Sequence, residues 1–261
     1  MGAPRTYQTH AVVVKEAKIG EVDKIVTIYT PELGKLKAVA KGACRPGSKL
    51  GGNVEPLTYS LLMLARGRNL DIVTQSQTID AFPALKSDLW RMACGLYILE
   101  LVDSFTVENN EDRPLFDLLL NGLKWLGQPD NSEIVLRYFE LHLLDYLGYR
   151  PQLQRCVICN SSIRPVVNFF GFGQGGILCS NCGQEDPAAH SISVEALKVL
   201  RLWQRCDYAT ARRVVLKSEL ALELEQVMHG YIKYLLQREV KSIAWLDELK
   251  RTLLDNSHGR D

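Results

Sequence analysis

Cys156-Val157-Ile158-Cys159 and Cys179-Ser180-Asn181-Cys182 decide how the middle of this chain folds. The two C-x-x-C pairs stand 19 residues apart. A turn of that kind aims two thiolates at one point, so the two together supply the four sulfurs of a tetrahedral Zn²⁺ site. Asn160 and Gly183 follow the pairs at once. Both residue types tolerate left-handed backbone, as a tight metal-binding knuckle requires. The rival reading, a pair of disulfides, needs an oxidising compartment. Four protein ligands leave no open position for water, so the spacing predicts one structural zinc per chain and no metal-based catalysis.

Working outward, the composition fits that reading. The chain has 261 residues, 46% apolar and 23% charged, which suits a globular protein of two ordinary domains or one large one. It contains no apolar run of about 18 residues that would span a membrane. The start, Met1-Gly2-Ala3-Pro4-Arg5-Thr6, lacks the apolar stretch of an export signal. Of seven cysteines, Cys44, Cys94 and Cys206 are left over and read as small buried or inert thiols of a reducing compartment. The net charge of +1 conceals an asymmetry. Residues 1–82 hold 11 Lys+Arg against 7 Asp+Glu, and the rest 20 against 23, so a polyanionic partner is expected for the first part.

The residue period changes along the chain. Thr9–Val14, Lys24–Thr30, Lys35–Lys41, Pro56–Ala65 and Leu70–Phe82 alternate and favour Val, Ile, Thr and Tyr, with turn residues between them. Five short strands in about 80 residues suit a small closed barrel such as an OB-fold, with a sandwich as the alternative. Past residue 87 the period becomes helical. Expected helices follow a cap at Ser87, run from Pro114 to Gly127, and run from Ser132 to a stop at Gly148. The third is apolar around most of its circumference and belongs near the centre of a bundle. After the zinc segment, about 155–183, helices resume after Ser193 and Ser218, and a short last one spans 243–254, with a tail at Asn256–Asp261 expected to fray. The fold class is therefore α+β: a barrel at 1–82, then a helical domain at 83–261 with a four-cysteine insert.

Gly34-Lys35-Leu36-Lys37-Ala38-Val39-Ala40-Lys41-Gly42 carries the second functional signal. Alternation sends Leu36, Ala38 and Ala40 one way and Lys35, Lys37 and Lys41 the other. The next loop adds Arg45 and Lys49, and a later turn adds Arg66 and Arg68. From Lys35 to Arg68 that makes seven cations and one acid, Glu55. A solvated strand edge is the plain alternative, but on a small barrel this set predicts nucleic-acid binding. Only Tyr7, Tyr29, Tyr59 and Phe82 are aromatic in this part, so contacts to the phosphate backbone are expected to outweigh base stacking. Gly171-Phe172-Gly173-Gln174-Gly175-Gly176 does not read as a strand-to-helix phosphate loop, and is assigned to the turn between the knuckles. His10, His142, His190, His229 and His258 stand without partners at motif spacing, His142 reading as core or edge, and no hydrolase motif occurs. No catalytic residue is assigned.

Tyr29–Ala43, Ser48-Lys49-Leu50, Glu55-Pro56, Tyr97–Asp103, Phe139-Glu140-Leu141, Leu147-Gly148-Tyr149-Arg150-Pro151 leading into Arg155–Cys159, Gly176–Cys182 and Gln237–Ser242 together resemble the RecO family of bacterial recombination mediators. The resemblance covers most of the chain. It implies an N-terminal OB-fold, a helical domain and, in many members, a zinc site. It also implies binding of single- and double-stranded DNA, annealing of complementary strands, and contact with the tail of the single-stranded-DNA-binding protein. Cooperation with RecR in loading RecA, and a cytoplasmic place on the nucleoid during repair, belong to the same expectation. Cys44 and Gly47 stand where the family's basic loop often carries Arg and Lys, which implies a weaker grip there. Two other readings remain: a zinc-ribbon RNA-binding or transcription-associated protein, and a hydrolase or nuclease using a second divalent metal.

Overall fold

The computed structural model describes residues 5–129 and 131–258, with side chains as far as Thr252. It divides into two compact units, residues 1–129 with 241–261, and residues 130–240.

Five strands open the first unit: β1 (Thr6–Ile19), β2 (Asp23–Thr30), β3 (Gly34–Ala40), β4 (Thr58–Ala65) and β5 (Asp71–Asp80). They close into a barrel of order β1-β2-β3-β5-β4, the OB topology. β1 makes closure possible because it is long. Its first half pairs with β4 from Thr6↔Ala65 to Val13↔Thr58, and its second half with β2 from Val12↔Tyr29 to Ile19↔Asp23. A bulge between Val13 and Lys15 bends the strand from one partner to the other. Val13, Val26, Ile28, Leu36, Leu62 and Leu64 fill the interior. Leu36, Ala38 and Ala40 point inward as the alternation requires.

Helices cover part of this barrel: α1 (Pro83–Lys86), α2 (Leu89–Phe105) and α3 (Arg113–Leu126). Asp88, one residue past the expected Ser87, caps α2 by accepting from the Arg91 amide, and Asp112 caps α3 ahead of Pro114. A Cβ on Gly95 of α2 would meet Leu57 at 2.9 Å and Leu85 at 3.3 Å, so only glycine permits this close approach. The last helix, here α9 (Lys241–His258), returns to α2, where the Glu100 carboxylate accepts from the amides of Lys241 and Ser242 at 2.9 and 2.8 Å. It is longer than the expected 243–254 and includes Asn256–His258; the rest of the expected frayed tail, 259–261, lies outside the described residues. The compact units thus divide after residue 129 and not at the change of residue type near 82, because α1–α3 and the last helix belong to the barrel's unit.

The second unit holds α4 (Ser132–Tyr146), α5 (Ser180–Gln184), α6 (Val194–Trp203), α7 (Tyr208–Ala211) and α8 (Ser218–Leu236). α4 is central, with every residue from Ile134 to Leu141 buried. That run includes Arg137 and Glu140, fully buried and paired at 2.9 Å one turn apart. His142 is satisfied as expected, its Nε2 donating to the Trp203 carbonyl at 3.0 Å. A small sheet of order β7-β6-β8, made of β6 (Asn168–Gly171), β7 (Gly176–Leu178) and β8 (His190–Ile192), was not foreseen. The glycine run does follow a strand, against expectation. It is the β6–β7 hairpin loop, closed by the Gly171↔Gly176 pair and turned at Gly175 with φ +68.

Candidate metal centre and nucleic-acid interface

Local hydrogen bonds build the first knuckle. The Cys156 amide donates to the Ser161 carbonyl at 3.0 Å, and the Asn160 amide to the Cys156 carbonyl at 2.9 Å. Asn160 takes the left-handed conformation at φ 57, as its place after the pair predicts. The Val157 amide donates to the Ile177 carbonyl at 3.0 Å, tying the first knuckle to β7, which delivers Cys179. Cys179 stands at the start of α5 and Cys182 lies within its first turn. Gly183 corrects one expectation. It is helical, not left-handed; what excludes a side chain there is the Phe169 ring, against which its Cβ would collide.

The sulfurs of Cys156, Cys159, Cys179 and Cys182 all lie within 4.8 Å of one another. Cys159 Sγ and Cys179 Sγ are 3.7 Å apart. Zn–S bonds of about 2.3 Å in a tetrahedron give an S···S edge of about 3.8 Å, so the cluster has the size such an ion needs. The thiols also divide their protons unevenly. Cys159 is lowered to about 6, first by its hydrogen bond with the Ser161 hydroxyl. Cys182 is raised to about 12, first by its hydrogen bond with Cys179. Four thiolates this close repel one another, and a dication is what would let all four ionise. Cys156 is buried, Cys179 and Cys182 half-buried and Cys159 exposed.

The seven cations of the first unit do not form one free row. Lys35 is 8% exposed; its Nζ donates to the Asp103 carbonyl at 2.5 Å and pairs with the Asp103 carboxylate at 3.2 Å. Lys37 is exposed but paired with Glu108 at 2.6 Å, which raises its pKa. Alternation put both lysines outside the barrel correctly, yet the end of α2 and the segment after it cover that part of the outer face with acids. Lys41, Arg45, Lys49, Arg66 and Arg68 are exposed, and among the described residues none of the five has an ion pair. Arg66 lies over the Tyr7 ring at 5.0 Å. The parallel register Ala38↔Asp71 and Val39↔Ile72 sets the start of β5, and the turn carrying Arg66 and Arg68, against the middle of β3. Of the four aromatics, Tyr29 and Phe82 are core, and Tyr7 and Tyr59 are half-buried.

A closed five-stranded OB barrel with exposed cations, in one chain with a helical unit that carries a four-cysteine cluster, defines the class of protein. The family profile "Recombination protein O N terminal" matches residues 3–82 and "Recombination protein O C terminal" matches residues 86–244. The chain belongs to the recombination protein O family. It is 38% identical over 253 residues to "DNA repair protein RecO" of Roseiflexus sp. (strain RS-1), covering 97% of this chain and 89% of that one. It is 37% identical over 254 residues to the protein of that name from Dehalococcoides mccartyi (strain ATCC BAA-2266 / KCTC 15142 / 195), covering 97% and 100%. No described helix is long and apolar enough to cross a membrane.

Proposed function

We propose that this protein is a recombination mediator that binds single- and double-stranded DNA on the barrel, anneals complementary strands and helps load RecA onto DNA coated by the single-stranded-DNA-binding protein. The observation that carries the reading is the set of five exposed cations, Lys41, Arg45, Lys49, Arg66 and Arg68, without ion pairs on an OB barrel. Phosphate neutralisation lowers the repulsion between two strands and base pairing drives their union, so the role needs no catalytic residue and no nucleotide. Few half-exposed rings support a grip on the backbone that is tight enough to align strands and loose enough to release them. The partners in this reading are RecR and the acidic tail of the single-stranded-DNA-binding protein, and the place is the bacterial cytoplasm, on the nucleoid during repair.

One zinc ion held by Cys156, Cys159, Cys179 and Cys182 would cross-link β7 and α5 to the loop after α4, and thereby hold the small sheet in place. It supplies folding energy, not Lewis-acid chemistry, since all four positions belong to protein sulfurs. The test is binding of DNA and of RNA by the full chain and by a Lys41→Ala/Arg45→Ala/Lys49→Ala variant. Weaker binding of all DNA sequences alike by the variant supports the reading; a preference for RNA with no annealing favours a zinc-ribbon RNA-binding protein.

A further inference from the structure

The 130–240 unit carries equal numbers of Lys+Arg and Asp+Glu, twelve each, yet its clefts are not neutral. A groove of about 690 Å³ opens over the knuckles, lined by Cys159, Cys179 and Cys182 together with Ser162, Arg164 and Asn181. A smaller cleft of about 90 Å³ shares Ile163, Arg164, Pro165 and Asn168 with it and adds Lys198 and Arg201 of α6. A third, of about 260 Å³, is lined by Arg150, Gln152, Gln154, Gln204 and Arg205. It adjoins the second where the Arg201 Nε donates to the Leu153 carbonyl at 2.7 Å, between Gln152 and Gln154. No Asp or Glu lines any of the three; the thiolates of the four-cysteine centre face the first, while the charged groups of the second and third are cations alone.

Helical spacing explains the alignment. Lys198 and Arg201 fall at i and i+3 on one face of α6, and Arg205 follows in the turn after its C-cap, where its N–H donates to the Leu202 carbonyl at 3.0 Å. The end of α6 and its exit turn therefore carry three positive charges within eight residues. Arg164, Lys198 and Arg205 are exposed, and among the described residues none has an ion pair. Arg150 is anchored by Asp145 at 3.0 Å and Arg201 by the Leu153 carbonyl, so two guanidiniums are held in place while three side chains are free to adapt.

A second observation points to a ligand with N–H groups as well as negative charge. Asn168 is 1% exposed and lines both the groove and the small cleft. Its Nδ2 donates to the carbonyls of Arg164 and Val166 at 3.0 and 2.6 Å, which fixes the amide's orientation. Its Oδ1 is buried and accepts nothing. A buried acceptor left without a donor is costly. A nucleobase edge offers such a donor, and the serine hydroxyls and glutamine amides along the clefts suit base edges and sugars better than they suit apolar side chains.

We propose that these clefts form a second track for single-stranded nucleic acid, carried by residues 130–240 alone, so that one chain holds two strands. The inference rests on the strand-annealing reading and adds to it the place of the other strand. The barrel cations take one strand; Arg164, Lys198, Arg201 and Arg205 take the phosphates of the second, with Asn168 beside a base.

The experiment counts labelled mixed-sequence octadeoxynucleotides bound per zinc-loaded full chain, at concentrations well above Kd. The wild type is compared with Arg164→Glu/Lys198→Glu/Arg205→Glu and with Lys41→Glu/Arg45→Glu/Lys49→Glu. All six positions are exposed, and zinc content and circular dichroism verify folding. The proposal predicts two strands on the wild type, one on each variant, and annealing at least about tenfold slower in both. One strand on the wild type, lost in the barrel variant and kept in the cleft variant, overturns the second track and leaves the barrel reading standing. No strand on the wild type overturns both. Two strands on the cleft variant, with loss only of its binding to an acidic peptide, shows the clefts to be a peptide site and overturns the proposal.

Discussion

At Gly183 a single methyl group would run into the Phe169 ring, and nothing in the backbone would yield, because α5 and β6 are both fixed by hydrogen bonds. Gly183→Ala should cost about 1–3 kcal/mol by overpacking and loosen zinc, read as faster metal transfer to a chromophoric chelator; unchanged transfer would show the contact to be slack. Lys35 is a second case where one residue decides. Its ammonium is held by Asp103, so Lys35→Met should lower stability to urea by about 1–2 kcal/mol, allowing for the partial exposure of Asp103, and leave the salt dependence of DNA binding untouched. A flatter salt slope in that variant would return Lys35 to the DNA face. His142 gives a pH signature. Burial holds its folded pKa below the ordinary imidazole value, opposed by its bond to Trp203. Between the two pKa values the unfolded chain binds more protons, so stability present above about pH 6.5 is lost as the pH falls. Urea midpoints should drop between about pH 7.5 and 5.5, and the drop should shrink in His142→Gln, which keeps a donor for the Trp203 carbonyl; an equal drop in both would place the proton elsewhere.

Among the elements, the β3–β4 loop and the β4–β5 turn carry the exposed barrel cations. If about four phosphates are neutralised, log K for single strands should fall against log salt with a slope of roughly −3. Replacing Lys41, Arg45 and Lys49 by Ala should flatten it by about 2; an unchanged slope would mean a solvated edge only. How legible these elements were depended on their length and on what covers them. All five barrel strands and the longer helices could be read from period and caps, because each buries one face over several turns or pleats. β6, β7 and β8 could not, since three or four residues carry no period, and of the three only β7 runs straight into a cysteine pair, at Cys179. Strand alternation placed Lys35 and Lys37 outside the barrel, but no local pattern announces that Asp103 and Glu108, some 70 residues on, lie over them. The four cysteines were legible because their spacing alone encodes the site. Lys198, Arg201 and Arg205 went unremarked: their spacing was visible, but only the fold sets Lys198 and Arg201 in one cleft and Arg205 in another.

For the molecule as a whole, the chain's two units are not its two halves. α9 returns to α2 through the Glu100 carboxylate and joins the barrel's unit, so the last helix packs with the barrel's unit and not with the unit that holds the four cysteines. Loss of zinc should therefore disturb the 130–240 unit first. Cys156→Ser/Cys179→Ser should release the metal, lower the helical signal and expose that unit to protease, while residues 5–129 keep a folded barrel; loss of both units together would show that the metal supports the entire chain. The central claim is that the protein brings complementary strands together by charge neutralisation without chemistry. The most direct measurement is the rate of pairing of two complementary oligonucleotides, bare and coated with the single-stranded-DNA-binding protein, in the absence of any nucleotide and at two salt concentrations. The account predicts faster pairing in both cases, lost as salt rises, with the coated rate falling when the last residues of the coat protein are removed. Bare strands that pair no faster with the protein than without it would contradict it.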